Sequence, residues 1–142
     1  MLRFQEIEGN LMKKTILAIA SLVSAALFLT ACSSDSAAQK VSPKEFSEVI
    51  ADPTIVILDV RTPQEFAEGH LANAINIDFQ SGNFEQEIAS LDKTKTYAVY
   101  CRSGNRSGQA VKVMAKAGFT SLYDMDGGII DWQAAGGQIV TN

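Results

Sequence analysis

A cysteine followed by a short polar loop is the feature of this sequence with the clearest chemistry. The stretch YAVYCRSGNRSG, from Tyr97 to Gly108, places Cys101 directly after an apolar and aromatic run. Two glycines let the loop curl so that successive backbone N–H groups converge on one point, and the helix that follows adds partial positive charge. Arg102 and Arg106 add full positive charges. These residues predict an anion-binding loop around a thiol.

Such surroundings favour the thiolate form of Cys101, which is the nucleophilic form. The alternative is a buried cysteine that behaves as a small apolar residue. Two arginines and two glycines are unusual neighbours for a core position, and we therefore interpret Cys101 as a nucleophile. The only histidine, His70, lies in a separate stretch and is interpreted as structural. With no base close by in the sequence, Cys101 is suited to attack on a sulfane sulfur, which needs a thiolate but no proton relay.

The residues before Cys101 predict the strand that positions it. The runs TIVILDV and TYAVY, over residues 54–60 and 96–100, are mostly apolar, which is typical of strands buried on both faces of a parallel sheet. Shorter strands are predicted over residues 74–77 and 120–125. Ligand sites of parallel α/β sheets lie at the carboxyl ends of the strands, and Cys101 stands at such an end.

Two capping boxes predict helix starts. Ser42 with Glu45, and Thr62 with Glu65, each place a hydroxyl three residues before a glutamate, with proline at the first helical position. Gly69 is expected to end the second helix in the left-handed conformation. Further helices are predicted over residues 84–91, around residues 110–117 with a glycine cap at Gly118 and Phe119, and over residues 129–135 after a turn at residues 126–128. Alternating strands and helices predict one α/β domain over residues 41–142, with a central parallel sheet and helices on both faces.

Composition narrows the possible functions. The chain has 142 residues, of which 46% are hydrophobic and 20% charged, and this balance supports one compact domain. The net charge is −4, and the only basic cluster is Lys13–Lys14, so nucleic acid is not expected as a partner. Two cysteines and one histidine are too few for a structural zinc site, and no metal is expected.

The first residues of the chain predict an export signal. No charged residue occurs from Thr15 to Ser34, and this run follows Lys13–Lys14. Its apolar part is shorter than the roughly 20 residues that a membrane-spanning helix needs. Residues 1–31 are therefore predicted to be a signal peptide, with translation starting at Met12 because Glu6 and Glu8 are unusual in such a segment.

The end of this segment, Leu29-Thr30-Ala31-Cys32, resembles the lipobox of bacterial lipoproteins. The resemblance implies cleavage before Cys32 and attachment of lipid to it; an ordinary signal peptide or anchor helix that contains this cysteine is the alternative. Residues 32–40 are predicted to be the lipidated Cys32 and a flexible tether. The lipid alone would hold the domain at a bacterial membrane, either on the outer face of the cell membrane or on the periplasmic side of an outer membrane. Lipidation would also leave Cys101 without a disulfide partner.

Three stretches resemble the signatures of single-domain rhodaneses. These stretches are LDVRTPQEFAEGHLANAINI, VYCRSGNRS and DGGIIDW, over residues 58–77, 99–107 and 126–132. The resemblance extends from about Val41 to Val140 and keeps the order and spacing of the family. It implies a rhodanese-like fold and a thiosulfate sulfurtransferase that needs no cofactor or metal.

The resemblance also implies roles for individual residues. Cys101 would attack the outer sulfur of thiosulfate, and its persulfide would pass sulfur to cyanide, a small thiol or a protein thiol. The persulfide and the anionic substrate would be bound by Arg102, Ser103, Gly104, Asn105, Arg106 and Ser107. Asp59 and Arg61 match the Asp-Val-Arg signature of the family and would brace the loop, whereas Gly127, Gly128 and Trp132 would serve the turn and the core.

Two other functions are weighed against this one. Cysteine phosphatases and arsenate reductases also bind an oxyanion between Cys and Arg, but they place five residues between the two, whereas Cys101 and Arg106 enclose four. A phosphatase would also need a carboxylic acid for the leaving group, and the sequence nominates none. The second alternative is a membrane-tethered binding or sulfur-carrier module without thiosulfate turnover, against which the intact cysteine and arginines argue. The sequence makes no prediction of oligomeric state.

Overall fold

The computed structural model of the protein describes residues 37–141. The predicted signal peptide, Cys32 and the first residues of the tether lie outside this range, so the export signal and the lipid anchor stay predictions. None of the helices within the described range is both long and apolar enough to cross a membrane.

A parallel five-stranded sheet forms the centre of the domain, with the strand order β1-β5-β4-β2-β3. The strands are β1 (Ala38–Val41), β2 (Val56–Asp59), β3 (Ile75–Asn76), β4 (Tyr97–Tyr100) and β5 (Leu122–Met125). The helices are α1 (Pro43–Val49), α2 (Pro63–Glu68), α3 (Phe84–Ala89), α4 (Asn105–Lys116) and α5 (Gly128–Ala134). The predicted α/β class is confirmed.

Strand β4 shows how the core is divided between the two faces of the sheet. Tyr97 and Val99 pack into a cluster with buried residues of α3 and α4. Ala98 and Tyr100 pack into a second cluster with residues of α1 and α5. Side chains alternate between the faces of a strand, so an entirely apolar β4 requires helices on both sides.

Both predicted capping boxes are present and begin α1 and α2. The glycine cap of α4 is also confirmed, because Gly118 has a φ of +98° and the N–H of Phe119 donates to the carbonyl of Met114 at 3.1 Å. Gly69 ends α2 in a different way from the prediction, with φ of +154° and ψ of 138°. The chain is extended there because His70 pairs with Val140 through two backbone hydrogen bonds of 2.8 and 2.9 Å.

Strand β1 corrects the predicted tether. The small and polar composition of residues 38–40 predicts a tether, but these residues pair with β5 in the register Ala38 to Leu122. The N–H of Leu122 donates to the carbonyl of Ala37, and that of Asp126 donates to the carbonyl of Val41, each at 2.8 Å. An edge strand held by such backbone bonds needs little hydrophobic side-chain pattern.

Candidate active site

Cys101 lies immediately after β4, between the carboxyl ends of β2 and β5. Its side chain is only 1% exposed, and the thiol is free. The strand ends at this point and α4 begins four residues later. The predicted position of the thiol, at a strand-to-helix loop in the middle of the sheet, is therefore confirmed.

The backbone N–H of Gly104 points toward the sulfur of Cys101. This N–H donates a hydrogen bond to the Sγ of Cys101 at 3.1 Å. Gly104 is the N-cap of α4 and has a φ of +90°, a conformation that favours glycine. The amino end of the 12-residue α4 thus lies beside the thiol. Its N–H groups and partial positive charge stabilise negative charge on sulfur.

The turn before α5 forms a second support for the loop. The N–H of Ile129 donates to the carbonyl of Cys101 at 2.9 Å, and that of Ile130 donates to the carbonyl of Arg102 at 3.3 Å. Gly128 has a φ of +62°, and a Cβ there would lie 2.5 Å from the carbonyl carbon of Arg102. The sequence predicts a turn and core packing for this segment. The structure adds a close backbone approach that only glycine permits.

The predicted substrate-binding residues differ in exposure. Arg102, Ser103 and Asn105 are exposed at the rim of the loop, and Arg102 makes no ion pair within residues 37–141. The amide oxygen of Asn105 accepts a hydrogen bond from Gln109 at 2.8 Å. Arg102 and Ser103 can meet a ligand that approaches from solvent, with Arg102 supplying charge, whereas the Asn105 side chain is bound to Gln109.

Ser107 is buried in the first turn of α4 rather than exposed to a ligand. Its hydroxyl lies beside the carboxyl of Asp124 on β5, and a side-chain hydrogen bond from Ser107 partly opposes the effect of burial on the pKa of that carboxyl. Asp124 is 3% exposed, and burial raises the pKa of its carboxyl. No local pattern in the sequence indicates this buried acid, because its neighbours come from α4.

Arg106 is bound by a carboxylate that the sequence identifies only as part of a capping box. Its two terminal nitrogens donate to Oε2 and Oε1 of Glu65 at 2.7 and 2.8 Å. Oε1 of Gln80 lies 3.4 Å from the first of these nitrogens. The hydrogen bonds from Arg106 lower the pKa of Glu65 to about 2. Arg106 is predicted to bind the anionic substrate, but its positive charge is already paired with the carboxylate of Glu65 on α2.

Asp59 and Arg61 form a buried pair beneath the loop that follows α2. The Nε of Arg61 lies 3.0 Å from both carboxylate oxygens of Asp59, and a terminal nitrogen lies 2.6 Å from one of them. The same nitrogen donates to the carbonyl of Gly69 at 2.7 Å. The guanidinium also lies 5.7 Å from the ring centre of Tyr100, the residue before Cys101. The pair therefore holds the loop after α2 directly and meets the active-site loop through Tyr100.

His70 has a structural environment, in agreement with its interpretation from the sequence. Its ring stacks on Phe66 with centres 3.7 Å apart, and its Nδ1 lies 2.8 Å from the carbonyl oxygen of Phe66. The residue is 4% exposed. These contacts fix the imidazole against the end of α2.

Two cavities flank the active-site loop. The larger, of about 630 Å³, has Ser103, Gly104 and Asn105 in one wall and reaches Asp124. The smaller, of about 270 Å³, combines charged and apolar side chains from α2, the loop and α5. Its lining includes Arg61, Glu65, Glu68, Arg102, Ile129, Ile130 and Ile139. Small molecules can thus approach the loop from two sides.

The described residues form a parallel α/β domain in which a buried thiol lies at the amino end of a helix. The sequence model of the Rhodanese-like domain matches residues 42–135. The chain belongs to this family, and the resemblance seen in its three sequence stretches is confirmed.

Relatives of known sequence and structure cover most of the domain. A thiosulfate:glutathione sulfurtransferase of Saccharomyces cerevisiae is 36% identical over 99 residues, which cover 61% of this chain and 70% of the yeast protein. A tRNA uridine(34) hydroxylase of Acaryochloris marina is 31% identical over 96 residues, which cover 65% of this chain. The crystal structure of a rhodanese-related protein from Thermoplasma volcanium has a TM-score of 0.66 and 33% identity, covering 73% of this chain and 99% of that one. The chain spans 52% of the length of a Synechocystis relative and 31% of the hydroxylase.

Proposed function

We propose that this protein is a sulfurtransferase that carries sulfane sulfur on Cys101, with thiosulfate or a related molecule as donor. The observation that carries the proposal is the hydrogen bond from the N–H of Gly104 to the buried Sγ of Cys101, at the amino end of α4. This contact stabilises both the attacking thiolate and a persulfide anion formed on it. The similarity to a yeast thiosulfate:glutathione sulfurtransferase supports the same reaction class.

The reaction consists of two sulfur transfers. The thiolate of Cys101 attacks the outer sulfur of thiosulfate, a new S–S bond forms, and the S–S bond of thiosulfate breaks so that sulfite leaves with the electron pair. Cyanide or a thiolate then attacks the outer sulfur of the persulfide. The Cys101 thiolate leaves in this second step, so each cycle restores the starting enzyme.

Two residues of the loop have separate roles in this reaction. Gly104 holds the reacting sulfur, and the exposed guanidinium of Arg102 attracts the anionic donor. The phosphatase alternative is not supported, because Arg106, the arginine at the end of the loop, is bound to Glu65 through both terminal nitrogens. We keep no role for a metal or cofactor in these steps.

Thiocyanate release from thiosulfate and cyanide tests this proposal. We expect the purified protein to produce thiocyanate in repeated turnovers and Cys101→Ser to produce none. Arg102→Gln should raise KM for thiosulfate more than it lowers kcat, because its guanidinium acts on donor binding. A folded protein that accepts one sulfur but never turns over would support the sulfur-carrier alternative instead.

The location of the protein is a separate proposal that rests on residues 1–32. The lipobox at residues 29–32 supports export and lipid attachment at Cys32, with the domain held at a bacterial membrane by that lipid alone. Expression in a bacterium with a labelled fatty acid tests it. Label and membrane association should both be lost in Cys32→Ala. Retained association without label would support the alternative of an anchor helix.

A further inference from the structure

The pairing of Arg106 with Glu65 changes the charge that the active-site loop offers to a donor. Both terminal nitrogens of Arg106 are occupied, at 2.7 and 2.8 Å from the carboxylate. The side chains of Arg106 and Glu65 are 17% and 24% exposed, so the pair is largely shielded from solvent. Shielding strengthens the interaction relative to one on an open surface.

Glu65 is held in this position by its own helix. It is the third residue of α2, and its Oε2 accepts hydrogen bonds from the N–H and hydroxyl of Thr62 at 3.0 and 3.2 Å. The same oxygen accepts from Arg106. The capping box therefore fixes the carboxylate before any substrate arrives, and separating the pair would also disturb the start of α2.

Of the three arginines near the thiol, one is left without an ion pair within the described residues. Arg61 is bound to Asp59, with a shortest N–O distance of 2.6 Å. Arg102 is the arginine of the loop that has no ion pair within residues 37–141. A site with a thiolate and one unpaired guanidinium is poorly matched to thiosulfate, which carries two negative charges.

We propose that Glu65 sets donor specificity by neutralising Arg106, so that the site favours sulfane-sulfur donors with one negative charge over the thiosulfate dianion. This inference rests on the proposed sulfurtransferase function and names its substrate class. Organic thiosulfonates and organic persulfide anions are donors of this class. The Cys101 thiolate attacks the outer sulfur, the S–S bond of the donor breaks, and a sulfinate or a thiolate leaves with the electron pair.

Two donors of similar shape and different charge test the proposal. Methanethiosulfonate replaces one charged oxygen of thiosulfate by a methyl group and so carries one charge. We expect the wild-type protein to form the Cys101 persulfide faster from methanethiosulfonate than from thiosulfate. Glu65→Gln should raise the rate with thiosulfate by about fivefold and the rate with methanethiosulfonate by less, as expected for one added net charge near the site. Glutamine also suits the capping box, and circular dichroism confirms that the variant is folded.

Glu68→Gln is the matched control. Glu68 lies on the same helix and in the same small cavity, but it is exposed and makes no ion pair within residues 37–141. If Glu65 acts through Arg106, the control should change the ratio of the two rates by less than twofold. An equal change in both variants would overturn the proposal, because general surface charge would then explain it.

A double variant covers the case in which Glu65→Gln only loosens the loop. The double variant Glu65→Gln with Arg106→Gln keeps the net charge of the wild-type pair, so its ratio of the two rates should return to within twofold of the wild-type ratio. Persistence of the gain would overturn the proposal. If both donors load Cys101 and Glu65→Gln leaves their rate ratio unchanged, the inference fails and the sulfurtransferase function stands. If neither donor loads a folded, reduced protein, the proposed function fails and the inference fails with it.

Discussion

The backbone N–H of Gly104 lies 3.1 Å from the Sγ of Cys101 and donates a hydrogen bond to it. This contact joins the end of β4 to the start of α4, and it exists because Gly104 adopts a φ of +90° at the N-cap. A side chain at this position would both strain the backbone and approach the turn at Gly127, whose nitrogen lies 3.2 Å from the position of a Cβ. The position of the Cys101 thiol and the loop geometry therefore depend on each other.

Gly104→Ala should slow persulfide formation and lower the free energy of unfolding by about 1–2 kcal/mol, the usual cost of a left-handed alanine. Gly136→Ala is the control, because Gly136 has a similar φ of +87° and no atom within 4 Å of its Cβ position. Urea unfolding should show comparable losses in the two variants, but only Gly104→Ala should slow the reaction with thiosulfate. Equal rates in both variants would contradict the role of the Gly104 N–H.

Gly128→Ala should be much more destabilising than either of these changes. Its Cβ would lie within 2.6 Å of the carbonyl atoms of Arg102 and the carbonyl oxygen of Cys101. Because backbone atoms cannot move aside as a flexible side chain can, we expect a loss of about 3 kcal/mol. Urea unfolding measures the loss of stability in Gly128→Ala and compares it with the loss in the Gly136→Ala control. A loss no larger than that of the control would show that the close approach is not a constraint.

Arg61→Met should be strongly destabilising because it leaves Asp59, which is 0% exposed, as a buried charge without its partner. Removing one member of such a pair costs about 3–5 kcal/mol. The double variant Asp59→Asn with Arg61→Met should recover part of this loss, since no charge then stays buried. Thermal and urea unfolding at neutral pH check both values. A loss below about 1 kcal/mol would contradict the buried pair.

The raised pKa of Asp124 should be visible in the pH dependence of the free energy of unfolding. Burial raises the pKa of this carboxyl above its ordinary value of 3.8, so the folded state binds the proton more tightly than the unfolded state. Its contribution to stability is therefore greatest below pH 3.8 and is lost as pH rises through the raised pKa of the folded state.

Asp124→Asn removes this titration and should stabilise the protein at pH 7 by an amount on the order of 1 kcal/mol, with the gain disappearing in acid. Asp126→Asn serves as the control, because the Asp126 side chain is 64% exposed and should show no comparable gain. Urea unfolding from pH 3 to pH 7 makes the measurement. A gain of the same size at both ends of the range would contradict titration as its cause.

Local signals account for what the sequence predicts well. The capping boxes at Ser42 and Thr62, the apolar run of β4 and the glycine cap at Gly118 each depend on residues that are close in sequence. The position of Cys101 follows from the same local pattern, because an apolar strand must end where the polar loop begins. These elements form as predicted with ends within two residues, except that α4 begins at Asn105, five residues before the predicted start.

Contacts between distant segments account for what the sequence does not predict. Glu65 meets Arg106 from 41 positions away, and nothing in a capping box indicates that its glutamate also binds the active-site loop. Strand β1 forms through backbone bonds to β5, which its polar residues do not indicate. Gly69 is extended because of Val140, at the other end of the domain. The predicted position of Cys101 at the strand-to-helix loop is thus correct, whereas the pairing of the Arg106 charge with Glu65 is not predicted.

The most direct test of the central claim is the intact mass of the reduced protein before and after incubation with thiosulfate. We expect a gain of one sulfur atom, complete reversal by cyanide with release of thiocyanate, and no gain in Cys101→Ser. This result would establish Cys101 as the sulfur carrier. A folded, reduced protein that gains no sulfur from either thiosulfate or methanethiosulfonate, or a Cys101→Ser variant that still gains it, would contradict the account.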